Sequence, residues 1–362
     1  MISDRLAQLR ELLPGNNLDC IIVGSPANRR YLSGFTGSAG WLVISAKHAI
    51  LVLDFRYIEQ ARKETSDYSI EHVKGDFALW FANLFHEMQI SRIGIESEHV
   101  TLSFHHQLNQ ALEKHEYKKH LIPVKNIVES LRIYKDQEEL LSIKESCRIA
   151  DLAMEYALGM LNPGMTERQV AWEIESYLRQ NGSETLPFEV IVASGANSAL
   201  PHARPTEKII HTGEPITIDL GACIKGYSSD MTRTFIIGKE DMDFIKIYNI
   251  VLAAQSAALS LIRAGVEASY IDGIARSFID NAGFAEQFGH GLGHGVGLEM
   301  HEPPRLGANS ADTLQNRMVF TVEPGIYIPG WGGIRIEDTV TIENDNFVML
   351  TNAKKVARIR GG

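Results

Sequence analysis

Apolar positions recur along the chain with two different periods, and the changes of period mark its elements. Leu6, Leu9, Leu12 and Leu13 fall at helical spacing and predict a helix over residues 3–13, stopped by Pro14-Gly15. The run Cys20-Ile21-Ile22-Val23 predicts a buried strand. Trp41–Ile44 and Ala49–Leu53 predict a pair of strands across a Lys47-His48 turn, whereas the segment from Arg29 to Gly40 is rich in loop formers. Helices are predicted over 57–63, 77–88 and 103–115, and short strands at 93–95 and 121–124. Strands alternating with helices in this way predict an α/β domain over residues 1–130.

The charged stretch from Glu129 to Glu138 sets the expected boundary with a second domain, 131–362. A long amphipathic helix follows over 138–161, ended by Asn162-Pro163-Gly164. Thr166 and Gln169 form a capping-box signal for the next helix, which Asn181-Gly182 closes. This helix pair recurs. A shift of 101 residues lays Gly164 on Gly265, Val170 on Ile271, Leu178 on Ile279 and Gly182 on Gly283. Each pair precedes sheet-like sequence holding two acidic residues, so the second domain reads as α+β with an internal pseudo-twofold duplication.

In the first copy, Asp219 lies in the strand pattern Ile216–Leu220, and Asp230 opens the return strand after a Lys225-Gly226-Tyr227 turn. Strand alternation puts Thr217 and Asp219 on one face, opposite Ile216, Ile218 and Leu220. The second copy repeats the layout with Glu323 and Glu337, at offsets of 104 and 107 residues. Between them runs Phe288-Gly289-His290-Gly291-Leu292-Gly293-His294-Gly295-Val296-Gly297, followed by His301-Glu302. Its glycines allow close backbone approach, and its imidazoles are metal ligands or proton carriers by type.

Composition narrows the function classes. A net charge of −10 over 362 residues argues against nucleic-acid binding, which needs a basic face. Cys20, Cys147 and Cys223 are few and widely spaced, which predicts a reducing compartment, with the cytoplasm as default. No signal-peptide pattern and no run of some 18 apolar residues is seen, so no membrane association is expected. Four carboxylates converging on one sheet face would repel and resist desolvation. Divalent cations are the usual remedy, and oxygen ligands with one imidazole suit Mn²⁺, Co²⁺, Fe²⁺ or Zn²⁺. Two ions fit better than one, since the spare carboxylate oxygens can bridge them.

Five segments together carry a family resemblance: Ile218-Asp219-Leu220-Gly221, Ser229-Asp230-Met231-Thr232-Arg233-Thr234, Gly291–Gly297, Val322-Glu323-Pro324-Gly325 and Ile336-Glu337-Asp338. They resemble, in order, the ligand motifs of the Xaa-Pro peptidases, the prolidase and aminopeptidase P branch of the pita-bread metallopeptidases. Residues 1–130, with Arg30-Tyr31-Leu32-Ser33-Gly34-Phe35, are similar to the creatinase/prolidase N-terminal domain. The resemblance implies a dinuclear centre, with Mn the first expectation and Co or Zn as alternatives. Asp230 and Glu337 would bridge both ions, Asp219 would bind one, and His294 and Glu323 the other. His202 and His301 would orient the scissile carbonyl and shuttle protons, and His290 would line the site for the residue after the cleaved bond. Arg335 would support the bridging carboxylate, while His211, with no motif around it, is read as surface.

The implied reaction is hydrolysis of the bond before proline, in dipeptides or longer peptides, by a water held between the cations, with Glu323 as a plausible proton acceptor. Creatinase shares the fold but lacks this ligand set. Methionine aminopeptidase shares the ligands but would not need residues 1–130. The rival of another class is a non-catalytic pita-bread domain that binds peptides; such proteins typically lose ligands, and all five stand here. Gly-x-x-x-x-Gly-Lys-Ser/Thr, His-Glu-x-x-His and Gly-x-Ser-x-Gly are absent. The family tendency is a homodimer.

Overall fold

A computed structural model of the chain describes residues 1–114, 120–239 and 241–360. It divides into two compact units, Met1–Arg132 and Ile133–Gly362.

The first unit is built on a six-stranded mixed sheet in the order Ser69–His72, Ala49–Leu53, Trp41–Ser45, Cys20–Val23, Arg92–Glu96, His120–Val124. Helices Phe77–Glu87 and Leu102–Glu113 cover it, burying Phe81, Phe85, Leu108 and Leu112 with Cys20, Ile22, Val43 and Val52. The predicted end of the second helix, His115, lies outside the described residues. Two elements differ from the sequence reading. Ser69–His72 is an edge strand whose residues are largely exposed, so no apolar alternation announces it. Pro26–Ser33, partly inside the stretch expected to be loop, is a helix with Ser25 as N-cap, Pro26 in its first turn and Gly34 in the left-handed region at its end. Its polar residues hid it: Asn28 and Arg29 are buried, and Arg29 donates to the carbonyls of Gly37 and Gly40.

In the second unit the duplication is explicit. Helices Gln137–Met160 and Glu167–Gln180 recur as Met242–Leu261 and Ala268–Asn281. The chain returns onto the start of the second helix of each pair in the same way: Thr166 bridges Ile209 in one copy and Glu267 bridges Thr313 in the other. The first pair packs on the sheet Arg358–Ile359, Met231–Ile237, Ile216–Leu220, Ile191–Ser194, joining Ile149, Met154 and Leu178 to Ile216, Ile218 and Leu220. The second pair packs on Glu302–Leu306, Gly293–Gly295, Val319–Val322, Asp338–Glu343, Asn346–Met349. Met242–Leu261 is long and apolar enough to cross a membrane by length and composition alone. Its stripe Phe244, Ile247, Tyr248, Val251, Ala254, Ala258 instead lies in the protein core, which accounts for the composition.

Candidate metal centre

The acidic residues stand at the ends of the central strands of both copies. Asp219 is opposite Thr232, Asp230 immediately precedes Met231–Ile237, and Glu323 and Glu337 flank the register pair Val322 and Asp338. Bonds between the copies bring these ends together. The Glu337 N–H donates to Thr232 O (3.1 Å), Thr339 Oγ1 to Asp230 O (2.7 Å), and Thr234 Oγ1 to Arg335 O (2.9 Å). His294 comes from Gly293–Gly295, which is paired on both sides. A Cβ on Gly293 would collide with Thr321 O, and one on Gly295 with Pro303 O. These glycines therefore serve close strand approach, leaving His294 as the side chain this short strand offers the site.

Asp230, His294 and Glu337 each present a ligand atom within 4.8 Å of the others. His294 Nε2 lies 3.5 Å from Asp230 Oδ2 and 3.3 Å from Glu323 Oε1. With the His294 Nδ1–H donating to Gly295 O (3.1 Å), Nε2 is the ring nitrogen turned toward the carboxylates. Thr321 Oγ1 orients Glu323 (2.9 Å) and accepts from the His294 N–H (3.1 Å). Arg335 Nη2 holds Asp219 Oδ2 at 2.6 Å, while Arg335 Nε donates to Thr232 Oγ1, which in turn donates to Glu337 Oε2.

This arrangement fits divalent cations. Asp219 Oδ1 and Glu337 Oε1 are buried with no hydrogen-bond partner among the described residues. Buried carboxylate oxygens are rarely left so, and an ion is one of the few remedies. Burial, followed by repulsion from neighbouring carboxylates (Glu337, Asp219 and Glu323 for Asp230; Glu323 and Asp219 for Glu337), pushes Asp230 and Glu337 well above the ordinary carboxylate range. Burial also raises Asp219, against the pull of Arg335. Burial acts upward on Glu323 too, but its hydrogen bond and attraction to His294 outweigh it and hold this carboxyl low. Burial pulls His294 down, and Glu323 more than reverses it, so the imidazole is raised. A buried oxygen-rich cluster with one imidazole matches borderline and hard divalent ions.

Of the other predicted residues, His290 and His301 lie close to the centre. The His301 ring is 4.2 Å from that of His294, and His290 Nε2 is 3.0 Å from Tyr327 Oη. Burial lowers both imidazoles, favouring their neutral forms. His202 is exposed at the tip of its loop, next to Pro201, whose carbonyl accepts from Arg335 Nη1 (3.2 Å). His211 is exposed, away from this network.

Sequence reasoning missed several supports. Tyr327 Oη accepts from Arg335 Nη1 (2.9 Å) and donates to His290, a relay visible only once the hairpin Gly325–Ile328/Gly332–Arg335 is formed. Asp272, wholly buried, accepts from the Leu292 N–H and from Arg276, which also donates to Phe288 O and His290 O, gripping the glycine-rich segment. Lys135 and Glu302 form an ion pair at 2.5 Å with side chains only 1% and 3% exposed. Breaking one side of a buried pair is costly. Lys135→Met is expected to lower unfolding stability by about 3–5 kcal/mol in urea titration; an unchanged midpoint would contradict the role given to the pair.

Comparison with known proteins bears on the family. The sequence pattern described as metallopeptidase family M24 matches residues 142–344, and that of the Creatinase/Prolidase N-terminal domain matches residues 5–134. The Xaa-Pro dipeptidase of Pyrococcus horikoshii is 36% identical over 357 residues, spanning 98% of this chain and 99% of its own. Among solved structures, the Xaa-Pro dipeptidase from Bacillus anthracis superposes with a TM-score of 0.95 at 39% identity, covering 99% of this chain and 100% of that one. The X-Pro aminopeptidase from Thermotoga maritima gives 0.88 at 35% identity, covering 98% and 99%.

Proposed function

The chain belongs to metallopeptidase family M24, and on that premise we propose that it hydrolyses the peptide bond preceding proline, with two divalent cations held by Asp219, Asp230, His294, Glu323 and Glu337. The observation that carries this reading is the buried carboxylate cluster with two unpartnered oxygens beside a correctly oriented imidazole. Asp230 and Glu337 would be shared by the two cations, with Asp219 on one side and His294 and Glu323 on the other. Two such cations, when bound, polarise the scissile carbonyl and acidify water.

The protein's own groups do the rest. Glu323, held low by His294 and so ionised near neutrality, takes the proton from the attacking water. His202 and His301 orient the carbonyl and pass a proton to the leaving imino nitrogen. Neutral His290, fixed by Tyr327, lines the position of the residue after the cleaved bond. Proline offers no N–H there, so recognition rests on ring shape. Arg335 keeps Asp219 in place and tethers the His202 loop. The three cysteines are free and buried, in keeping with a reducing cytoplasm, and we place the working form as a manganese-loaded homodimer.

The relatives include both dipeptidases and an aminopeptidase, so the assay must separate substrate lengths. Purified protein with Mn²⁺ is expected to cleave Ala-Pro, Ala-Pro-Ala or both, and to leave Ala-Ala-Ala intact. Cleavage of Ala-Pro alone marks a dipeptidase and of Ala-Pro-Ala an aminopeptidase. Cleavage of none would favour a peptide-binding role and overturn the proposal.

A further inference from the structure

Glu167 has no exposed surface, yet no group of the metal centre touches it. It opens the helix Glu167–Gln180 and receives donors from both ends of one loop. Oε1 accepts from the Ser194 N–H (2.7 Å) and Ser194 Oγ (2.9 Å), and Oε2 from the Thr206 N–H (3.1 Å) and Thr206 Oγ1 (2.6 Å). Asn197 Nδ2, inside the loop, reaches both oxygens at 3.1 Å. Residues 194–206 thus form an Ω-like excursion whose neck closes on a single carboxylate. His202 stands near its tip. Beyond the neck, the loop is tied to the second copy by the Gly333 N–H donating to Ser198 Oγ (2.8 Å) and by Arg335 donating to Pro201 O.

The duplication separates a packing role from a functional one. At a shift of 101 residues Glu167 falls on Ala268, which opens the corresponding helix. The chain returns onto that helix start with a similar bond, the Ala268 N–H to Asp312 O (2.9 Å), where the first copy has the Glu167 N–H to Lys208 O (3.1 Å). Helix-on-sheet packing therefore does not need a carboxylate at this position. The matching segment of the second copy, 295–307, carries His301 and is held instead by pairing of Glu302–Leu306 with Gly293–Gly295, whereas the loop that carries His202 has the carboxylate at its neck.

We infer that Glu167 is a positioning residue, closing the neck of the 194–206 loop and so setting where His202 stands relative to Arg335 and Asp219. The catalytic part of this inference rests on the role proposed above for His202; the structural part does not. Glu167→Gln keeps the shape but turns an amide NH₂ toward donors on one side of the neck. In Mn²⁺-loaded protein, the amides of 195–203 are expected to exchange hydrogen faster, with those of Gly293–Gly295 and Val319–Val322 unchanged. Activity on Ala-Pro, read as kcat/KM, is expected to fall about 10- to 100-fold, the usual size for a misplaced catalytic group. In a His202→Ala background the same change is expected to add less than about twofold, because both act through one side chain. Thr206→Val, which removes one donor and spares the carboxylate, is expected to move every readout the same way by less. Unchanged exchange in 195–203, or fully additive losses in the double variant, would overturn the inference. If the wild type cleaved no proline peptide, the activity reading would fall by itself, and the exchange comparison would still decide whether Glu167 holds the loop.

Discussion

Replacing Asp230 with alanine is expected to abolish metal loading and to cut turnover on Ala-Pro by a factor on the order of 10³ or more. Asp230 is the carboxylate in ligand range of both His294 and Glu337, and it is 5% exposed. Without it, the three side chains in mutual ligand range are reduced to one carboxylate, Glu337, beside His294. The isosteric change Asp230→Asn should act in the opposite direction on the metal-free protein. Burial and the charges of Glu337, Asp219 and Glu323 all disfavour ionised Asp230, so the folded metal-free protein must hold a proton there, at a cost that Asp230→Asn avoids while keeping the shape. In EDTA the variant is expected to melt above the wild type, and in excess Mn²⁺ below it. Full activity in Asp230→Ala, or a lower melting point of Asp230→Asn than of the wild type in EDTA, would refute the assignment.

Metal removal should also invert the dependence of stability on pH. Asp219, Asp230 and Glu337 are raised in the folded state, first by burial. The folded protein then holds protons that the unfolded chain releases above the ordinary carboxylate value of about 4. Stability in EDTA must therefore fall as pH rises from that value, each such proton contributing up to about 1.4 kcal/mol per pH unit. Glu323 is lowered and its stabilising contribution is lost only as pH falls below the same value, while the lowered His290 and His301 add stability up to the ordinary imidazole value of about 6.5, so the fall is read between about pH 6.5 and 8. Cations reverse the slope, because ligation needs the deprotonated groups. At a free Mn²⁺ concentration of 100 times Kd the gain is about 2.7 kcal/mol, or about 5–10 °C for a unit of this size, largest at the alkaline end. Melting curves in EDTA and in Mn²⁺ across this range check it; an EDTA curve that is flat or rises with pH would contradict the cluster's electrostatics.

What the sequence revealed follows from how local each signal is. The Thr166–Gln169 capping box and the glycines ending each helix pair are decided within a few residues, and they are present in the structure. The duplication was legible because identical packing demands recur: Val170, Leu178, Ile271 and Ile279 are all fully buried. The metal-centre residues could be nominated because acidic side chains are out of place in strands, which makes them conspicuous. Their supports were not legible. Tyr327, Thr232 and Thr321 are ordinary strand residues whose roles arise from cross-strand neighbours. Glu167 reads as a favourable acidic residue in a first turn, and nothing local shows that it closes a loop nearly thirty positions away. Pro26–Ser33 was obscured by buried Asn28 and Arg29, whose partners lie in other segments.

In the function proposed here, two copies of one unit direct their carboxylates at a pair of cations. Anomalous diffraction from crystals grown with Mn²⁺ measures this directly. Two peaks about 3.5–4 Å apart, enclosed by Asp219, Asp230, His294, Glu323 and Glu337, are the predicted result. Density for water alone among those side chains, with Mn²⁺ in excess, would contradict it.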